Sequence, residues 1–134
     1  MVSSTLRLPN PILADAARAS GPALRTFGRI ADRWELSPAE RATILGMPRS
    51  TYFKALKDPE RARLSRDQLE RVSYVLGIYQ ALQILLPRRA AADEWLRRPN
   101  ADVFFKGTRP LDVLLGGKVA NLYAVRRYLD GERG

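Results

Sequence analysis

Between Ser37 and Lys57 the chain carries start and stop signals so close together that two short helices joined by a tight turn satisfy them best. Ser37 followed three residues later by Glu40 is a capping box: each residue's side chain takes up a backbone N–H that the helix start leaves without a partner. Pro38 suits the first helical position because it has no N–H to lose. Gly46 marks the end, since a residue without Cβ adopts the left-handed conformation that closes a helix, and Pro48 cannot extend the ladder. A second helix then runs from Arg49 to Lys57. Ala42, small and four residues before Gly46, lets the two helices cross closely, so the stretch reads as a helix-turn-helix.

In the second helix Tyr52, Ala55 and Leu56 recur at helical spacing and are expected to face the core. Arg49, Ser50, Thr51, Phe53, Lys54 and Lys57 then fall on or near the outer side. Arg and Lys neutralise phosphates or donate to guanine, Ser and Thr bond phosphate or either groove edge, and an exposed aromatic meets a thymine methyl. We therefore expect Arg49, Ser50, Thr51, Lys54 and Lys57 to bind duplex DNA. The plainer alternative is a helical hairpin with solvated charges.

The charge balance agrees with an anionic partner. Lys and Arg number 23 against 14 Asp and Glu, a formal charge of +9, which favours nucleic acid or an acidic protein surface. The excess is spread along the chain: residues 1–87 carry 13 basic and 8 acidic side chains, residues 88–134 carry 10 and 6. With neither cysteine nor histidine, the chain lacks a disulfide framework, a thiol nucleophile, the commonest general base and the usual transition-metal ligands. We expect no catalytic residues, no metal site and no cofactor. No apolar run reaches the roughly 18 residues that span a bilayer, and no signal peptide opens the chain, so a cytoplasmic protein with no membrane partner is expected.

Along the chain, residues 1–9 show no period and are expected to be poorly ordered. Asn10-Pro11 opens a short helix, Ile12 to Ala19, that Ser20-Gly21-Pro22 should break. A second helix to about Trp34 follows, with Leu24, Phe27, Ile30, Ala31 and Trp34 as its packing stripe. After Lys57, Pro59 ends helical structure in a polar connection whose Arg61 and Arg63 can flank a DNA backbone. Ser65 and Gln68 form another capping box, opening a long helix from Arg66 to about Leu86. Its apolar positions cover more than half the circumference, which implies two packing partners: the hairpin on one side, and on the other the C-terminal part or a second copy of the protein. Beyond Pro87 come a short helix from Ala90 to Arg97, a loop through Phe105, a helix opened by Pro110 and a last helix from Lys118 to about Asp130 capped by Gly131. The expected fold is all-α: a helix-turn-helix domain with its long helix over residues 1–87, joined to a small helical module over residues 88–134.

That module carries a recognisable signature. The run Ala92-Asp93-Glu94-Trp95-Leu96-Arg97-Arg98-Pro99-Asn100, then Phe105-Lys106-Gly107-Thr108-Arg109-Pro110-Leu111-Asp112-Val113-Leu114, resembles the Trp-Leu, Pro-Asn, Gly-x-x-Pro-Leu-Asp pattern of the Xre/MbcA/ParS antitoxins, with Lys106-Gly107 and Gly116-Gly117-Lys118 as departures from it. The hairpin resembles their Xre-like N-terminal part, and the likeness runs from about Leu24 to Gly131. It implies an antitoxin that blocks a RES-domain toxin, an NAD-consuming enzyme, and that binds the operator of its own operon. Homodimerisation is expected from the wide apolar arc and from the two-fold symmetry of such operators. The resemblance, extended by charge logic, places toxin contacts at Trp95, Arg109 and Asp112 in the signature and at Arg126, Arg127, Tyr128 and Arg133 of the last helix and tail. The alternative function is a stand-alone transcriptional regulator whose C-terminal module dimerises or senses a ligand.

Overall fold

In a computed structural model of the chain, residues 11–134 are described, with side chains from Arg18 onward; the expectations for residues 1–9 and for Asn10 fall outside them. Among the described residues seven α-helices follow in order: α1 Pro11–Arg33, α2 Pro38–Leu45, α3 Arg49–Lys57, α4 Arg66–Leu85, α5 Arg89–Glu94, α6 Pro110–Leu114 and α7 Val119–Glu132. Short 3-10 turns sit at Pro59–Arg61 and Trp95–Arg97. The described residues contain no strand, and the fold is all-α. No helix among them is long and apolar enough to cross a membrane.

The expected break at Ser20-Gly21-Pro22 does not occur. α1 runs through it with Pro22 inside, although an internal proline costs a helix about 3 kcal/mol. Tertiary contacts explain the difference. Ser20 is fully buried, its hydroxyl accepts the Leu64 N–H at 2.9 Å, and Arg25 one turn on is ion-paired to Glu60. The segment before α4 thus grips α1 on both sides of the proline, and the stripe Leu24, Phe27, Ile30, Ala31 and Trp34 is buried beyond it.

The helix-turn-helix forms as its local signals require. The Ser37 hydroxyl accepts the Glu40 N–H at 3.1 Å and the Glu40 carboxylate accepts the Ser37 N–H at 2.8 Å. At the other end Gly46 takes φ 73°, with Gly46 N–H on Thr43 O and Met47 N–H on Ala42 O, the paired bonds of a Schellman cap. A buried arginine completes that cap. Arg71 of α4 donates to Ile44 O at 3.2 Å, one of the carbonyls that the end of α2 leaves without a partner, and to Gly117 O at 2.9 Å, while its Nε holds Asp67 at 2.8 Å.

α4 is the axis of the molecule. It opens on the Ser65/Gln68 capping box, packs one side on α1 and buries the other against α7. α1 and α7 thus cover most of its wide apolar arc, leaving Leu85 and Leu86 half-buried and Ile84 exposed. Two more arginines fasten the C-terminal part to the N-terminal part: Arg33 pairs with Asp93 at 3.1 Å, and Arg97 donates to the carbonyls of Trp34 and Glu35 and reaches Glu40 at 3.3 Å.

The expected cap at Gly131 is also displaced. α7 continues through Gly131 because Arg133 N–H still finds Leu129 O and Asp130 O, and the left-handed residue is Gly134 instead.

Candidate DNA and toxin interfaces

α3 presents its polar residues as a cationic ridge. Arg49, Ser50, Thr51, Lys54 and Lys57 are all exposed, while Tyr52 is buried edge-on to Phe27 at 6.5 Å. At about 100° per residue, Ser50 and Lys57 lie near the middle of the outward face, Lys54 beside them, and Arg49 and Thr51 on opposite flanks. Leu56 departs from the expectation: it is 39% exposed. Tyr52 and Ala55 fill the inward position, which turns Leu56 onto the flank with Phe53 and Arg49. The Arg49 guanidinium lies 5.9 Å from the Phe53 ring centre, so a cation rides on an exposed aromatic.

The start of α3 adds to this surface. Pro48 occupies the cap position without a side-chain bond to the helix, so the first-turn N–H groups stay available to an anion such as a phosphate. On the other flank Thr51, Lys54 and Lys57 form one wall of an open groove of about 580 Å³ whose opposite wall holds Arg61 and Arg63. Arg63 donates to Glu60 O and Ala62 O, which fixes its position. Arg61, 4.0 Å from Asp58, points into solvent. Chemically the arrangement is a polycation with one apolar flank, suited to the sugar-phosphate edges and a thymine methyl.

In the C-terminal part the candidate residues divide between scaffold and surface. Arg109 and Asp112 hold each other: the Asp112 carboxylate accepts the Arg109 N–H at 3.1 Å and its guanidinium at 2.7 and 3.3 Å, opening α6. That guanidinium bond is the main reason the Asp112 carboxyl lies below its ordinary range. A folded-state value below the unfolded one means that the pair's contribution is complete above the ordinary carboxylate range and lost as pH falls through the depressed value. Asp112→Asn should accordingly melt lower than wild type at neutral pH, and the gap should close in acid; thermal melts across that range check this.

Trp95, Phe105 and Tyr128 form an aromatic cluster. Trp95 meets Phe105 edge-on at 5.6 Å and stacks on Tyr128 at 6.4 Å, and Tyr128 meets Phe105 at 4.9 Å. Burial, then a hydrogen bond to Asp102, pushes the Tyr128 phenol up to about 12. Arg126 pairs with Asp130 at 3.0 Å and lies across Gly77 of α4, where an added Cβ would sit 1.5 Å from its Nη1. Gly77 is the close approach that seats α7. Arg127, bonded to the Tyr123 hydroxyl at 3.0 Å, and Arg133, 4.0 Å from Asp130, remain at the surface. Sequence reasoning missed Arg71 and Arg97, whose partners lie far along the chain and leave no local pattern. No three His, Cys, Asp or Glu side chains converge into a metal site among the described residues.

Comparison with known proteins matches two stretches of the chain. Residues 13–77 match the antitoxin Xre-like helix-turn-helix domain, and residues 81–134 match the antitoxin Xre/MbcA/ParS C-terminal toxin-binding domain. A relative in Sinorhizobium fredii (strain NBRC 101917 / NGR234), the uncharacterized protein y4oB, is 46% identical over 122 residues, covering 90% of this chain and 91% of the relative. With a helix-turn-helix whose caps and turn are in place, joined through one long helix to a toxin-binding module, the chain belongs to the Xre/MbcA/ParS antitoxin family.

Proposed function

We propose that this antitoxin neutralises a RES-domain, NAD-consuming toxin through its C-terminal module and represses its own operon by placing α3 in the major groove of an operator. The observation that carries the reading is the pairing, along α4, of an exposed cationic α3 with a module that Arg33, Arg71 and Arg97 fasten to α1, α4 and the turn after α1. Arg49, Ser50, Thr51, Lys54 and Lys57 are the DNA contacts. Trp95 and Tyr128 shape the toxin-facing module, Arg109 and Asp112 hold its α6, and Arg126 seats α7. Arg127 and Arg133 are the exposed cations of α7 and the tail. Two copies bind one operator, since helix-turn-helix half-sites are related by two-fold symmetry. The protein acts in the cytoplasm, where operon and toxin are found together.

The test uses the DNA upstream of the gene and a RES-domain protein encoded beside it. The purified chain should shift the upstream fragment in a complex containing two copies, and co-expression should restore growth to cells making the RES protein. Lys54→Ala with Lys57→Ala should weaken DNA binding and reduce the slope of log affinity against log salt by about one per lost phosphate contact. An unchanged slope and affinity would move the DNA surface off α3.

A further inference from the structure

The loop between the second 3-10 turn and α6 carries two large apolar side chains that stand exposed. Val103 is 83% exposed and Phe104 43%, directly before Phe105, which is buried. Such a pair is costly on the surface of a monomer, and contiguous exposed apolar groups mark binding sites more often than chance.

Its backbone leaves the loop little freedom. Asn100 and Thr108 close its base, with Asn100 N–H on Thr108 O at 2.9 Å and Gly107 N–H on Asn100 O at 2.7 Å. The Asn100 and Asp102 side chains accept the N–H groups of Asp102 and Phe104 at 2.9 and 3.0 Å. Lys106 and Gly107 both take positive φ, 53° and 84°, which turns the chain back sharply. Phe104 is held from beneath as well: it stacks on Tyr128 at 5.5 Å and meets Phe105 edge-on at 4.7 Å. An aromatic ring fixed before binding loses little entropy when it binds. Beside it, Trp95 and Tyr128 line a groove of about 210 Å³ with Leu85, Leu86 and Glu132, so apolar side chains continue past the loop as far as an acidic edge.

Charge states the partner's chemistry. Of the six carboxylates of this part of the chain, Asp93, Glu94, Asp112 and Asp130 are held in ion pairs by arginines, Asp102 accepts the Phe104 N–H, and Glu132 lines the groove. Lys106, two residues past Phe104, and Arg88 and Arg89, which follow the Leu85–Leu86 wall, have no carboxylate within 4 Å among the described residues. An apolar knob flanked by free cations fits an apolar pocket with an acidic rim.

We propose that Val103 and Phe104 are the anchor by which this antitoxin grips its toxin, with Phe104 seated in an apolar pocket of the toxin and Lys106 against carboxylates at the pocket's edge. The inference rests on the reading that the C-terminal module binds the toxin, and it commits to that partner because the whole surface lies within the toxin-binding region, residues 81–134. Buried aromatic anchors carry a disproportionate share of interface energy.

The test measures binding of the purified full-length chain to the purified RES-domain protein encoded beside its gene. Phe104→Ala should weaken binding by about 30-fold or more, as removal of an aromatic anchor does. Val103→Asp, at a side chain with almost no internal contact, should weaken it by about 10-fold while leaving the melting temperature unchanged. Lys106→Glu should slow association more at low than at high salt. Promoter binding by all three should equal wild type. Val103→Asp and Phe104→Ala both binding the toxin within about twofold of wild type would overturn the anchor while leaving the antitoxin reading intact. So would variants that bind toxin normally but no longer self-associate, because the patch would then join two copies. Failure of the wild-type chain to bind the RES-domain protein would overturn the antitoxin reading, and the anchor with it.

Discussion

Replacing Arg71 by Ala is expected to lower the melting temperature by about 8–12 °C, one of the largest effects of any single substitution outside the apolar core. The residue is 9% exposed, and its guanidinium satisfies two carbonyls that are far apart in the sequence, Ile44 at the close of α2 and Gly117 before α7. Each carbonyl left bare and partly shielded from water costs about 1–3 kcal/mol, and partial access of water to both keeps the sum near 2–3 kcal/mol. For a chain of this length, about 4 °C accompanies each kcal/mol. Asp67 contributes little, since its carboxylate is half exposed and returns to water. A cationic donor at the C-terminal end of α2 is also favoured by the helix dipole, so Arg71→Gln should recover only part of the loss.

Gly46 supplies the internal check. A Cβ there would lie 2.6 Å from Arg71 Cζ on a backbone of φ 73°, so Gly46→Ala in the wild-type background carries both the left-handed penalty, about 1–2 kcal/mol, and the displacement of the guanidinium. With Arg71 already Ala, only the first remains. The double variant should therefore be at least about 1 kcal/mol more stable than the sum of the single changes predicts. Urea unfolding of the four proteins measures this. Additivity within about 0.5 kcal/mol would mean that the guanidinium does not sit beneath the turn. Because Arg71 joins the turn of the helix-turn-helix to the loop before α7, its loss should weaken promoter binding and toxin binding together, whereas the Lys54 and Phe104 changes should separate them.

The parts of this structure that sequence makes legible are those fixed by neighbours in the chain. Ser37 with Glu40, Ser65 with Gln68, and Gly46 before Pro48 each act over three or four residues, and each forms the bond its spacing implies. The outward side of α3 follows from a period of 3.6, except that periodicity could not tell whether Leu56, at the edge of the apolar sector, would be covered. What failed was long-range. Ser20-Gly21-Pro22 breaks a helix on local grounds, but the contact of Ser20 with Leu64, 44 residues away, holds it helical. Gly131 is a good cap where the chain must turn, and no turn is required there. Arg71 and Arg97 look like solvated charges in sequence, because nothing local announces carbonyls 27 and 63 residues distant. The C-terminal surface was legible only through family resemblance. Val103, Phe104 and Phe105 read as one apolar run, and only the fold separates the buried ring from the exposed pair.

Deleting residues 126–134 is expected to abolish growth rescue completely, but that loss alone would not assign neutralisation to the tail. The deletion removes Leu129, which is buried, and Tyr128, which stacks on Trp95 and Phe104, together with the Arg126 side chain that seats α7 on Gly77. Buried leucine and aromatic side chains are worth about 2–5 kcal/mol each when truncated. The module should therefore come loose from α4, losing the Phe104 surface and the tail at once, while α1 to α3 retain their own packing on α4 and promoter binding falls much less. Charge reversal separates the two contributions. Arg127→Glu with Arg133→Glu changes only exposed side chains, whose internal partners are the Tyr123 hydroxyl and a carboxylate 4.0 Å away, so the melting temperature should stay within about 2 °C of wild type. If the basic end of α7 lies against carboxylates of the toxin, the reversed charges face like charges, and rescue should be lost with at least a tenfold drop in toxin affinity. Full rescue by this double variant, with NAD levels preserved, would confine neutralisation to the surface around Trp95 and Phe104 and leave the last turn of α7 as a solvated helix end.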